Sequence, residues 1–180
     1  MPLALYMNIE TSIKEKFNMS FNTNASDPPA RQGTDKLALA VSCLRQRRNA
    51  QAFLLLSAPG LEKAPAAQFA LGLCYLRAND LSKAIACLEQ TLRLLKAATA
   101  PRESPVADET YLQLAAEQID REVYLEPMDA DFCVRFPQAA EQTALLALIH
   151  TYRENGMEEQ AKRLAAGLTG AEFAEYRKTL

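Results

Sequence analysis

Residues 66–96 read AAQFALGLCYLRANDLSKAIACLEQTLRLLK, and the reading of this stretch decides the fold. Leu71 and Tyr75 stand four apart, with Leu73 and Leu76 on the same and neighbouring faces. That spacing is helical, since no apolar–polar alternation runs through it. Asn79-Asp80 breaks the run, and the Asp80 carboxylate is placed to cap the next helix. From Leu81 the apolar set Leu81, Ala84, Ile85, Leu88, Leu92 and Leu95 recurs at steps of three and four, leaving Lys83, Glu89, Arg93 and Lys96 for the other face. Two amphipathic helices packed across a short turn are therefore predicted. Gly72 inside the first helix costs about 1 kcal/mol against alanine, and a close approach of the second helix at Ala84 is the expected compensation.

Leu71-Gly72, Tyr75 and Ala84-x3-Leu88 resemble the tetratricopeptide repeat (TPR), whose pattern runs W-x2-L-G-x2-Y, then A-x3-F, then P. Gln68 stands at the Trp position and Lys96 at the terminal Pro. The resemblance implies an all-α, TPR-like right-handed superhelix of antiparallel helix pairs. Shifted back by 34 residues, the motif falls on Leu37, Ala38, Val41, Ala50 and Leu54, which predicts a first hairpin at about 35–57. A third is predicted at about 138–168, where Leu148, Tyr152 and Ala161 repeat Leu71, Tyr75 and Ala84, with Asn155-Gly156 as the turn. A closing helix over Ala171–Leu180 is expected to cap the last exposed face. The helical-repeat domain is thus expected over 34–180, with the central hairpin at 65–97.

Two segments stand outside this pattern. Residues 1–33, with NMSFNTNASDPPARQG at their end, read as an N-terminal arm or linker, either a tail or an arm that docks a short apolar stripe. Thr34 or Asp35 is the expected cap of the first helix. Residues 98–137 form an irregular segment. A helix is expected from Ala107 to about Leu125, then the run EPMDADFCVRFP at 126–137. Nine carboxylates and one basic residue, Arg121, lie between Glu103 and Asp131, which makes this region locally negative.

With 20 basic and 22 acidic side chains the chain carries no global basic footprint, and a nucleic-acid partner is not expected. Arg45, Arg47 and Arg48 cluster at a turn without interleaved aromatics, so a solvated turn is preferred to an RNA or phosphate contact. No apolar run reaches ~18 residues, and MPLALYMN lacks the basic flank and length of a signal peptide. A cytoplasmic protein without a membrane segment is expected. Four isolated cysteines, Cys43, Cys74, Cys87 and Cys133, fit buried free thiols, with a Cys74–Cys87 bridge as the alternative.

His150 is the single histidine, and no Gly-rich phosphate loop occurs, so no catalytic residue, metal site or cofactor is expected. The function expected is a protein–protein interaction module, an adaptor or scaffold holding a peptide or helix in an apolar concave groove. By resemblance the groove residues are Phe69, Leu73, Leu76 and Arg77 from the central pair, and Leu39 and Ser42 from the first, with Arg45 at the edge. The same residues would otherwise pack against the irregular segment or the N-terminal arm. Leu73 occupies the place of the asparagine that clamps a C-terminal carboxylate in some members, so that mode is not expected. Three alternatives stay open. One is a small secretion-type chaperone of the TPR class. Another is a small-ligand or metal sensor or enzyme, with a closed pocket holding Asp129, Asp131 and Arg135 of the acidic 126–135 loop. The third is a self-associating repeat forming a homo-oligomer.

Overall fold

The computed structural model describes residues 29–98 and 117–168, together with Phe173, Tyr176 and Lys178. These residues are all-α. The helices are α1 (Pro29–Arg45), α2 (Asn49–Leu56), α3 (Pro65–Arg77), α4 (Leu81–Ala98), α5 (Ala130–Arg135), α6 (Pro137–Glu154) and α7 (Glu158–Ala166), with a 3-10 turn at Val123–Leu125. Residues 1–28 of the arm expected over 1–33 and the segment 99–116, which holds most of the helix expected from Ala107, lie outside the described residues, as does the closing helix apart from three positions.

Three hairpins succeed one another: α1 with α2, α3 with α4, α6 with α7. The first packs on α3, and α4 packs on α6. Their turns share one construction. The second residue past each first helix takes left-handed backbone, Arg47 at φ 61°, Asn79 at 60° and Gly156 at 70°. Its N–H donates to the carbonyl three residues back, Leu44, Leu76 and Arg153 at 3.0, 3.0 and 2.9 Å. The next N–H reaches back five residues, to Cys43, Tyr75 and Tyr152 at 2.8, 2.9 and 2.8 Å. This pair of bonds satisfies carbonyls that the helix end would otherwise leave bare. Asp80 caps α4 as expected, accepting from the Lys83 N–H at 3.3 Å.

The turns correct the repeat register. Asn79 stands 32 residues after Arg47, not 34, so Ala40, Ala52 and Leu56 take the places of Gly72, Ala84 and Leu88. All three are buried, at 0%, 0% and 5% exposure, whereas Leu54, the partner of Leu88 under the other register, is 67% exposed. The apolar types at Ala38, Ala40, Ala50, Ala52 and Leu54-Leu55-Leu56 satisfy either register. Only the left-handed residue in the turn decides between them.

Gly72 is explained by Leu88 and not by Ala84. A Cβ added there would lie 3.1 Å from Leu88 Cγ and 3.4 Å from Cys87 Cβ. Phe69, Leu73, Leu88, Leu95, Leu148 and Ile149 form the largest fully buried side chains of the stack, with Leu44 and Val41 from the first pair. Thr91 and Thr151 are also fully buried, and each hydroxyl donates to the carbonyl four residues back, Cys87 and Ala147, at 2.9 and 2.7 Å. Neither therefore leaves a bare polar group in the core. Between α4 and α6 the Tyr152 hydroxyl donates to Glu89 Oε1 at 2.8 Å.

Two boundaries differ from expectation. The first helix starts at Pro29 rather than at a Thr34 or Asp35 cap, because proline has no N–H to satisfy in a first helical turn. The helix expected to reach Leu125 stops after residue 120, where Glu122 turns left-handed at φ 53°. All four cysteines are free, so the Cys74–Cys87 alternative is not formed.

Candidate functional site

The first helices of the three pairs, α1, α3 and α6, share a face, and the segment 122–136 lies on it. Its helix α5 packs against all three, and its 3-10 turn packs on α6. This strap carries its own apolar set inward. Tyr124, Met128 and Cys133 are 7%, 5% and 8% exposed, and Leu125, Ala130 and Phe132 pack half-buried on the core.

Charge pairing fixes where the strap sits. Arg45 Nη2 meets Asp129 Oδ2 at 2.9 Å, and Arg47 Nη2 meets Glu126 Oε1 at 3.6 Å. Arg77 reaches from α3, donating to the Leu44 carbonyl at 3.0 Å, to Asn49 Oδ1 at 3.1 Å and to the Leu125 carbonyl at 3.5 Å. The two ion pairs are about half exposed or more and contribute roughly 0.2–1 kcal/mol each. Burying a side chain such as Met128 contributes about 1.5–3 kcal/mol. Apolar contact therefore holds the strap, and the arginines set its register.

Burial governs the titratable groups here. It holds the Arg77 guanidinium below its usual range, with Arg47 adding to the effect and Glu126 opposing it. It pushes the Cys74 thiol up to about 11 against the pull of Arg77, and the Cys133 thiol likewise to about 11. Both thiols are protonated and poorly nucleophilic at neutral pH. The Tyr124 hydroxyl is also raised, by burial first and then by Tyr176 and Glu122.

The residues expected to line a groove fall into distinct places. Phe69 and Leu73 are 0% and 1% exposed, covered within the fold. Leu76 and Arg77 are half-buried and, with the buried Leu73, border a cavity of about 370 Å³ beside Arg47, Leu125 and Glu126. Arg45 lies in the ion pair with Asp129, and Ser42 accepts a hydrogen bond from Gln46 Nε2 at 3.2 Å. Leu39 is 48% exposed on α1. The fold thus brings Arg45, Leu73, Leu76 and Arg77 to the strap. In sequence the basic turn at Arg45–Arg48 and the acidic run at Glu126–Asp131 stand as separate features. Their opposite charge was the signal that they meet.

A second cavity, about 510 Å³, lies under the strap between Arg45, Met128, Asp129, Phe132, Thr143 and Leu146. It includes Asp129, while Asp131 and Arg135 do not line it. Among the described residues no three His, Cys, Asp or Glu side chains are grouped to hold a metal ion, and no helix is long and apolar enough to cross a membrane. His150 stands with Nδ1 4.0 Å from Glu122 Oε1, its ring 6.0 Å from that of Tyr124.

No protein-family model matches the chain, nor does any curated protein or solved structure.

Proposed function

We propose that the chain is a protein-interaction module, an adaptor or scaffold, whose helix pairs stack as a TPR-like right-handed superhelix. The face of α1, α3 and α6 receives a peptide or short helix of a partner protein. The single observation that carries this reading is the strap: a segment of mixed acidic and apolar character, with its own short helix, already lies across that face. A face that accommodates such a segment in cis has the shape and charge to take one in trans. The repeated turn at Arg47, Asn79 and Gly156 supports the repeat architecture, since stacked units with one turn geometry keep their first helices on one side. Binding rather than catalysis is also favoured by the protonated, buried thiols Cys74 and Cys133. Four unbridged cysteines suit a cytoplasmic setting.

Selection of a random peptide library on the full chain tests this reading. Enriched peptides should compete with one another, lose binding to Leu76→Glu and Arg45→Glu variants, and keep it with Leu54→Glu on the outer helix α2. Binding that survives Leu76→Glu but is lost with Leu54→Glu overturns the assignment of the face, and a library that enriches nothing overturns the module.

A further inference from the structure

The strap is fastened more loosely than the hairpins beneath it. Its helix α5 has six residues, too few to hold helical structure without tertiary support. Val134 and Phe136 at its end are 76% and 54% exposed, so its apolar character is only partly used. Cavities of about 510 and 410 Å³ adjoin it, where a packed core element leaves few voids larger than a water. A short helix, exposed apolar side chains at its end and solvent-facing ion pairs are the marks of a segment that opens locally while the rest stays folded.

Resting on the function proposed above, we infer that residues 122–136 are a built-in occupant of the binding face, and that the partner is an acidic peptide with interspersed apolar residues that displaces them. The chemistry is set by the groups the face already holds. Leu125 and Glu126, then Met128 and Asp129, then Phe132 present an apolar residue, an acid, a spacer, a second apolar–acid pair and, three positions on, an aromatic. Arg47 and Arg45 meet the two acids, and Arg77 meets the backbone carbonyl of Leu125. A partner segment with this order of side chains meets the same arginines and apolar seats. Strap release is part of its binding, which makes the strap a competitive gate that lowers the apparent affinity of every segment by the same factor, so that only one meeting the arginines and the apolar seats binds well.

The test uses the full chain, its Glu126→Gln/Asp129→Asn variant, and a synthetic peptide of residues 122–136 carrying Cys133→Ser. Maleimide labelling of Cys133, resolved by peptide mass, reports strap opening. Removing the two ion pairs should raise the open population, and with it the Cys133 labelling rate and the affinity for the peptide, about 2- to 30-fold. Adding the peptide to the native chain should speed Cys133 labelling while leaving Cys74 slow. A control peptide with lysine at the Glu126 and Asp129 positions should do neither. If Cys133 labels equally slowly in chain and variant and the peptide leaves it unchanged, the strap is a fixed part of the fold and the inference fails. Library peptides binding the face under that result would leave the proposed function standing, so the two failures are separable. If the variant instead forms a dimer in which Cys133 stays protected, the strap exchanges between copies and the displacing partner is overturned.

Discussion

Replacing Gly72 by alanine should destabilise this protein, although the same change on a solvent-facing helix stabilises one. Alanine is better than glycine in a helix interior by about 1 kcal/mol. Against that, the new Cβ would lie 3.1 Å from Leu88 Cγ, 3.2 Å from Leu88 Cδ2 and 3.4 Å from Cys87 Cβ. Leu88 is 0% exposed, so it has no open side toward which to yield. Adding a methyl to such a site costs about 1–3 kcal/mol, and the net loss should be about 0–2 kcal/mol. In a Leu88→Ala background the two closest atoms are gone, and the next nearest, Cys87 Cβ at 3.4 Å, is an ordinary contact. Gly72→Ala should then stabilise by about 1 kcal/mol, a reversal of sign with a coupling of about 1–3 kcal/mol. Urea unfolding of all four proteins, followed by far-UV circular dichroism, measures the cycle. Leu88→Ala alone costs about 2–5 kcal/mol, so every sample carries the same sucrose concentration to keep that background folded. If Gly72→Ala has the same sign and size in both backgrounds, the approach of the two helices is not the reason for the glycine.

Three further outcomes are expected. Gly156→Ala should cost about 1 kcal/mol in the same unfolding assay, because φ is +70° there with no atom within 4 Å of the added Cβ, leaving backbone strain as the whole effect. Arg77→Met should destabilise by about 1.5–3 kcal/mol, since a charged donor with three oxygen partners is lost; a change within about 0.5 kcal/mol, the range of an ordinary surface substitution, would deny it a clamping role. Stability should hold to about pH 9 and then fall. Cys74 and Cys133 are raised from 9.0 to about 11, and Tyr152 from 10.0 to about 12 by burial and Glu89, so the folded state holds these protons more tightly and that advantage disappears as pH climbs through the raised values. Melting temperatures in reductant should drop between pH 9 and 12, and Tyr152→Phe should flatten the part above pH 10; a flat profile across the whole range contradicts the burial of all three.

Helix content, the three hairpins and their order were determined by the sequence alone, because apolar spacing at three and four residues is a local signal. The break at Asn79-Asp80 and the stop at Asn155-Gly156 were equally local, and the same Schellman-type closure occupies both. The start at Pro29 was carried by residue type too, but the acceptable caps five residues later competed with it. Where types are degenerate the register is not local: alanines and leucines on both sides of the Arg45–Asn49 turn suit two registers, and the left-handed residue Arg47 selects the second.

Tertiary structure alone decided what fills the face of α1, α3 and α6. Phe69 and Leu73 look the same in sequence whether they await a partner or lie under the chain itself, since periodicity says which side is apolar and nothing of what covers it. The pairing of Arg45 with Asp129, 84 positions away, depends on a chain path that no local spacing encodes. That long-range closure turns two solvated charge clusters into one site. It is also why the strap, least regular in its sequence, covers the face that the three first helices share.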